Sequence, residues 1–346
     1  MTESFLVNVA AMNDTSAVSD PVRHLIRLTN AVTASRALHV VAELGIADTI
    51  APDEEAAVDV IAGRCGCDPG ALHRVLRLLE VHGVFRSERD CWSHTAASVV
   101  LRDDHPRTVR AYARMIGQPS TWDALTQLAS TLRAGRPAPF LVEAGGIWSY
   151  FEQHPEQLAV FAQAMAARAQ AAIAGIVATI DFSPYQTIAD IAGGRGHLVR
   201  AIVDHHPHVQ GILFELPHVI DEVEHADHHP FGRHPGDFFV DPLPAADLSI
   251  LMQVIHDWDD DDAARILSAV AEAATPGDSL MLVELVLPEC PVDDGVNTAD
   301  VFMLMLAGGR ERTAGEYTTL LDRAGYDVTD IRPVAGPYCA ITSRRR

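Results

Sequence analysis

The sequence has 346 residues, and its 26 cationic side chains, every one an arginine, face 47 carboxylates for a formal charge of −21. Without lysine there is no P-loop amine for nucleotide phosphates and no Schiff-base nucleophile, so those chemistries are excluded. The acidic balance also repels phosphate backbones, which argues against general nucleic-acid binding. At roughly 150 residues per domain the length suggests two or three domains, and 48% hydrophobic residues suffice for sizeable cores. Cys65, Cys67, Cys91, Cys290 and Cys339 are scattered with no CxxC spacing. Free thiols in a reducing cytosol, and no metal site, are expected. The opening MTESFLVNVAAMNDTS has neither a charged n-region nor a long apolar core, so no signal peptide is expected. The longest apolar run, 171–180, reaches about half a bilayer span. The expectation is a cytoplasmic protein without a membrane partner.

Charge is unevenly shared: residues 1–110 hold 11 arginines against 15 acids, and residues 111–346 hold 15 against 32. In the first segment Leu25, Leu28, Val32, Leu38, Val41 and Leu44 recur near helical spacing until Gly45 ends the run. Asp68-Pro69 then supplies an N-cap and first turn, with Leu72, Val75, Leu76 and Leu79 on one face and Gly83 at the stop. Val84-Phe85 and residues 86–92 suit a short hairpin, giving a winged-helix outline. Arg64, Arg74 and Arg77 could face DNA, but no basic stripe accompanies them, so arginines that are solvated or paired with Glu80 and Asp68 are expected. Residues 111–181 continue helical, with Pro155-Glu156 opening a long segment through Phe161, Met165 and Ile173.

From residue 186 onwards strands and helices alternate. Strands are expected at 187–191, 211–215, just before Gly236, 247–252 and 280–287. Helices follow them to about 206, from 217, over 259–274, and near 298–307 and 314–324; strands at 327–332 and 338–342 close the chain. The alternation predicts a doubly wound α/β domain with a mainly parallel sheet. Three segments result: a winged-helix-like domain at 1–110, a helical linker at 111–181, and a ligand-binding domain at 182–346.

In such a sheet the ligand lies at the carboxyl ends of the strands near the switch point, which makes the loop after residue 191 the first candidate. Gly194-x-Gly196-x-x-Val199 lacks the third glycine of a dinucleotide fingerprint, and Asp190 would repel a pyrophosphate. A carboxylate there suits a cationic ligand without phosphate, and Glu215 is set to accept from ribose hydroxyls. Taken with Phe214-Glu-Leu-Pro217, Gly236-Asp-Phe-Phe239, His256-Asp-Trp258 and Gly308-Gly-Arg-Glu-Arg-Thr313, the stretch Asp190-Ile-Ala-Gly-Gly-Arg-Gly196 resembles the S-adenosylmethionine-dependent O-methyltransferases of the caffeate/hydroxyneurate type, which include bacterial antibiotic-pathway members.

The resemblance implies a Rossmann-like class I methyltransferase domain, with an antiparallel C-terminal strand, and an N-terminal winged-helix domain that forms a homodimer. It implies that Asp190, Gly193, Gly194 and Gly196 hold the methionine part and ribose of S-adenosylmethionine, released as S-adenosylhomocysteine. It further implies that Glu215 binds the ribose, Asp237 the adenine amino group, and that Phe238 and Met252 flank the adenine ring. Ala192 stands where the family usually has the first glycine, and a negative φ is expected there.

Methyl transfer needs positioning and a nucleophilic acceptor. A phenol with a pKa near ~10 is mostly protonated at neutral pH, and an imidazole can remove its proton as the methyl moves. His256, just beyond the 247–252 strand, matches the family's general base, and Glu284 and Glu311 match the carboxylates that flank it. Glu284 interrupts an otherwise apolar strand, where a lone carboxylate is costly without a partner; Glu311 could instead pair with Arg310 or Arg312. Asp257 is read as positioning and Trp258 as packing, and Asp259–Asp262 as complementing a helix N-terminus. His205, His206, His208, His218, His225, His228, His229 and His234 show no recurring i, i+4 ligand pair and are read as surface histidines.

An acceptor pocket is expected from Trp148, Phe161, Met165, Phe302, Met303 and Leu306, whose apolar and aromatic walls suit a flat aromatic hydroxyl compound. No charged anchor for it is evident. Two other readings compete: a methyltransferase fold diverted to hydroxylation or decarboxylation, and a winged-helix regulator with a ligand-sensing C-terminal half. Retention of His256 with both glutamates argues against the first, and binding to duplex DNA would discriminate the second.

Overall fold

The computed structural model describes residues 20–224, 230–291 and 295–346. The N-terminal stretch read for a signal peptide, and His225, His228 and His229, lie outside the described residues. The chain divides into two compact units, meeting between His105 and Pro106.

In the first unit, α1 (Pro21–Glu43) starts where Asp20 accepts a hydrogen bond from the Val22 amide and Pro21 occupies the first turn. The helical spacing is as expected, but only the C-terminal end of its apolar stripe is buried within the chain: Leu25 is 61% and Leu28 65% exposed, against 1% for Val41. Then come β1 (Ala56–Ala57), α2 (Val58–Cys65), α3 (Pro69–Val81), β2 (Phe85–Glu88), β3 (Cys91–His94) and α4 (Ala96–Val99), the strands forming an antiparallel sheet in the order β1-β3-β2. Asp68 caps α3 by accepting from the Ala71 amide at 2.8 Å, while Leu72, Leu76 and Leu79 are buried. Of the two alternatives for Arg64, Arg74 and Arg77, the solvated one holds: all three are exposed, and Arg74 and Arg77 do not pair with Asp68 or Glu80. Asp68 is used by its cap, and Glu80 accepts from the amide and hydroxyl of Ser87 in β2.

The second unit opens with α5 (Arg110–Ile116), α6 (Pro119–Thr126), α7 (Leu128–Ala134), α8 (Pro139–Glu143), α9 (Ile147–Gln153) and the 25-residue α10 (Pro155–Thr179). Alternation follows: β4 (Thr187–Ile191), α11 (His197–His205), β5 (Gln210–Glu215), α12 (Pro217–Glu224), β6 (Gly232–Pro235), β7 (Leu248–Met252), α13 (Asp260–Ala273), β8 (Ser279–Leu287), α14 (Val296–Leu306), β9 (Arg312–Thr313), α15 (Ala314–Arg323), β10 (Tyr326–Ala335) and β11 (Tyr338–Arg345). The sheet order is β10-β11-β8-β7-β4-β5-β6, with β9 paired to the end of β8. β6, β5, β4, β7 and β8 run parallel; β11 pairs antiparallel with β8 and β10 with β11. β10 continues past Pro333, as an edge strand can, because an edge position does not need every amide.

Along β8 alternate side chains feed two cores. Leu280 and Leu282 pack with α13 and α15, and Met281, Val283 and Leu285 pack with α10 and α11. By length and composition α10 is, among the described residues, the one helix apolar enough to cross a membrane, and it is longer than the run picked out in the sequence. Its Ala172, Ile173 and Ile176 are buried against the sheet. All five cysteines are free thiols. Strand order reverses between β4 and β7, so the loops after these two strands flank the ligand-binding crevice of a doubly wound sheet.

Candidate active site

Asp190 lies in β4, 1% exposed; its Oδ2 accepts from the Val199 amide at 3.3 Å and its Oδ1 has no hydrogen-bond partner. Burial, reinforced by the charge of Glu215 and opposed by the Val199 amide, pushes its carboxyl up to about 7. Only glycine fits at 193, where a Cβ would stand 2.4 Å from the Asp190 carboxyl carbon. Gly194 and Gly196 both take positive φ, +57° and +73°. The Gly194 amide donates to Glu215 Oε2 at 3.0 Å, and the Leu216 amide donates to Oε1 at 2.8 Å. Glu215 too is raised, chiefly by burial. A buried carboxylate with an orphaned oxygen and a second, partly buried one, beside a glycine-rich loop, make a cradle suited to a cationic ligand.

Ala192 departs from the expected negative φ: it stands at +55°. Its amide donates to the Phe214 carbonyl at 2.8 Å, extending the β4–β5 ladder by one residue and forcing the sharp turn onto the alanine. Asp237 follows β6 and accepts from the Phe239 amide at 2.8 Å, closing its own turn. Phe238 packs edge-on against Phe239 and Trp258, which agrees with the packing role read for Trp258. Met252 is the last residue of β7. These residues all sit at the carboxyl ends of adjacent strands.

His256 lies in a 3-10 turn, Ile255–Asp257, directly after β7. Its Nδ1 donates to Glu311 Oε1 at 2.9 Å, Glu284 Oε2 lies 3.9 Å from the same nitrogen, and Asp257 Oδ1 is 3.5 Å from Nε2. Glu284 is fully buried, and its Oε1 accepts from the Val254 and Ile255 amides at 3.1 and 2.8 Å, so the carboxylate also shapes the turn that carries the histidine. Burial alone would push the imidazole down, but the charges of Asp257, Glu284 and Glu311 and the Glu311 hydrogen bond outweigh it and hold His256 at about 10. Burial raises Glu284 to about 7 and Asp257 to about 6. With Nδ1 committed to a carboxylate, Nε2 is the nitrogen free to exchange a proton. The ligand atoms of His256, Glu284 and Glu311 also lie within 4.8 Å of one another, a spacing compatible with a metal ion. The direct Nδ1–Glu311 hydrogen bond satisfies the histidine without one.

The residues that brace this cluster are not legible as braces in the sequence, where Arg310 and Arg312 stand only as possible partners of Glu311. Arg312 is 1% exposed and donates to Asp260, to the Ile255 carbonyl and to the Trp258 carbonyl, pinning both sides of His256. Arg310 pairs with Glu316, so neither arginine takes Glu311. The Glu311 amide donates to Asp300 at 2.9 Å. A Cβ at Gly309 would stand 2.0 Å from the His256 carbonyl oxygen, and the Arg310 amide donates to that same oxygen. A glycine–arginine pattern can suggest such a brace, but the partners 50 or so residues away are not visible in it.

Of the expected pocket wall, Phe161, Phe302 and Leu306 join one apolar cluster built on Phe151, Ile147, Leu141 and Met305. Trp148 reaches it edge-on through Phe161 at 5.6 Å. Met165 and Met303 are half-buried on α10 and α14 outside that cluster.

Known proteins match both parts of the chain. Residues 26–104 fit the model of an O-methyltransferase dimerisation domain, and residues 125–327 that of an O-methyltransferase domain. Mitomycin biosynthesis 6-O-methyltransferase of Streptomyces lavendulae is 33% identical over 90% of this chain and 91% of its own. Phenazine O-methyltransferase PhzM of Lysobacter antibioticus is 33% identical over 92% and 95%. The crystal structure of LaPhzM superposes with a TM-score of 0.85, at 32% identity, covering 94% of this chain and all of that one. The doubly wound sheet, the acidic glycine cradle and these matches lead to one conclusion: the chain belongs to the S-adenosylmethionine-dependent O-methyltransferase family, with a class I methyltransferase fold preceded by a dimerisation domain.

Proposed function

We propose that the protein methylates a hydroxyl of an aromatic natural product, phenolic, polyketide-like or phenazine-like, with His256 as general base. When bound, the cofactor supplies a methyl group on a positively charged sulfur. Asp190 and the Gly193–Gly196 loop would hold its methionine part and ribose, Glu215 the ribose hydroxyls, Asp237 the adenine amino group, and Phe238 and Met252 the faces of the ring. The observation that carries the reading is the His256 cluster. Glu311 holds Nδ1, which leaves Nε2 as the nitrogen that can take the proton of the acceptor hydroxyl. Glu311 and Glu284 fix which nitrogen is basic and steady the imidazolium that forms; Asp257 lies within reach of that nitrogen and orients it. No metal is required. Trp148, Phe161, Met165, Phe302, Met303 and Leu306 would wall the acceptor.

The helical segment 111–181 would then contribute to the acceptor pocket of the 182–346 domain. The domain at 1–110 would make a homodimer through the exposed stripe of α1, in the cytoplasm and without membrane or nucleic-acid partners. The test is a methyl-transfer screen over phenol, catechol, anthraquinone and phenazine acceptors, with calorimetry of S-adenosylhomocysteine and NAD. Methylation at oxygen with binding of S-adenosylhomocysteine alone is expected. Uptake of NAD instead, or sequence-specific binding of duplex DNA at low salt, would overturn the reading.

A further inference from the structure

Arg168, in the middle of α10, is a half-buried cation that no carboxylate answers among the described residues. Its guanidinium lies over two aromatic rings, 5.3 Å from the Tyr112 centroid and 5.9 Å from that of Tyr338. Its Nη2 donates to the Tyr338 hydroxyl at 2.8 Å, and that hydroxyl donates to Gln253 Oε1 at 3.1 Å. Gln253 itself is held at φ +58° directly after β7, three residues before His256, and its buried Nε2 has no partner. The chain Arg168–Tyr338–Gln253 therefore runs from α10 to the turn that carries the base, and among the described residues Nε and Nη1 of the guanidinium have no acceptor. Two flanking rings and the Tyr338 hydrogen bond restrain the guanidinium in advance, a condition under which arginine binds planar anions well.

The sheet says which ligand this cation faces. In the order β11-β8-β7-β4-β5, Tyr338 sits on β11, three strands from the β4 glycine loop, or roughly 14 Å at about 4.8 Å per strand. His256 follows β7, between the two. The acidic cradle for the cofactor and the arginine thus lie on opposite sides of the base, and the arginine is on the side left for the acceptor. The strand of its partner Tyr338 stands two spacings from β7, roughly 10 Å, which is on the scale of one or two aromatic rings.

Given the methyl-transfer reading above, on which this rests, we propose that Arg168, oriented by Tyr338 and Gln253, anchors a carboxylate of the acceptor, so that the preferred substrates are aromatic hydroxy acids. Calorimetry on protein loaded with S-adenosylhomocysteine, using hydroxybenzoate, hydroxynaphthoate and hydroxyphenazine-carboxylate probes and the methyl ester of each, reads the anchor without turnover. At least one acid is expected to bind roughly 10–100-fold more tightly than its ester, the scale of a charge-assisted hydrogen-bonded pair. Arg168→Gln should bring that ratio close to one, and Arg168→Lys should restore part of it. In turnover the preference should appear in KM rather than kcat. No acid preferred over its ester, or an Arg168→Gln ratio equal to wild type, overturns the anchor. Weakened binding of S-adenosylhomocysteine in Arg168→Gln with the ratio intact also overturns it, by giving the arginine to the cofactor carboxylate. Acids bound selectively but never methylated would leave the anchor standing and sink the methyl-transfer reading.

Discussion

The carboxyl ends of β4 and β5 and the turn after β7 both bury carboxylates, but they balance that charge in opposite ways. At the first, Asp190 has an oxygen without a partner and Glu215 is hydrogen-bonded by two backbone amides. At the second, Glu284, Glu311 and Asp257 surround one imidazole, although one oxygen each of Glu284 and Glu311 also lacks a hydrogen bond. The second has a basic group of the protein at its centre, and the first has none. Where a ligand must enter and leave, the cost of burying charge is left partly uncompensated and helps to drive binding. Where a group must stay aligned through every turnover, compensation is built in.

Removing the imidazole breaks the second arrangement and spares the first. His256→Ala is expected to lower methyl transfer by roughly 10²–10⁴-fold, with calorimetric affinity for S-adenosylhomocysteine little changed; unchanged turnover would show that His256 is not the base. Gly309→Ala acts on the same turn through the backbone, because its Cβ would collide with the His256 carbonyl. Displacing the base by about 1 Å costs on the order of 10²-fold in kcat, and normal kcat in this variant would show that the turn is not held by residue 309.

Asp190→Asn strikes the first arrangement alone. Loss of an uncompensated carboxylate should weaken S-adenosylmethionine binding by roughly 10–100-fold, measured by calorimetry. The pH dependence separates the two ends further. Asp190 and His256 both have folded values above their ordinary ones, about 7 and about 10. Each therefore contributes stability in full below its unfolded value, about 3.9 and about 6.5, and that stability is lost as pH rises through the folded value. A cationic ligand favours the ionised Asp190, so cofactor binding should tighten as pH climbs towards about 7 and then level off. In Asp190→Asn that rise should be absent. The gap in melting temperature between loaded and free protein should widen over the same pH window.

The smallest effect tests the turn itself. Ala192→Gly removes a side chain from the left-handed region, against the greater freedom of glycine in the unfolded chain, for a net gain of about 0.5–1 kcal/mol. A rise in melting temperature of roughly 1–4 °C should follow, and a fall would show that the alanine is not strained there.

Much of this was legible beforehand because it is local. The alternation from Thr187 to Thr342 follows from short apolar strands punctuated by Gly and Pro, and the strands and helices lie within a few residues of where the pattern puts them. Asp190, Gly193, Gly194 and Gly196 could be singled out because they share one short strand-to-loop stretch, whereas Glu215 and His256 are picked out by the family resemblance, their partners Gly194, Glu284 and Glu311 lying 21 to 55 residues away. The conformation of Ala192 could not, since it depends on a hydrogen bond to Phe214 across the sheet. Nor could Arg168 be seen as an anchor: its partner Tyr338 stands 170 residues away. The Arg312 brace is hidden for the same reason, as it joins carbonyls 54 and 57 residues apart from it in the chain.

The exposed stripe on α1 carries a last consequence. Val22, Leu25, Ile26, Leu28 and Val32 are each more than half exposed in the single chain. Water-facing apolar surface forgoes roughly 25 cal/mol for every Å² that a partner would cover. If the homodimer proposed above is what covers it, folding and pairing share one mass-action law, and stability rises with protein concentration. A cell that makes little of this protein would then hold it nearer to unfolding than one that makes much, with no change in its sequence.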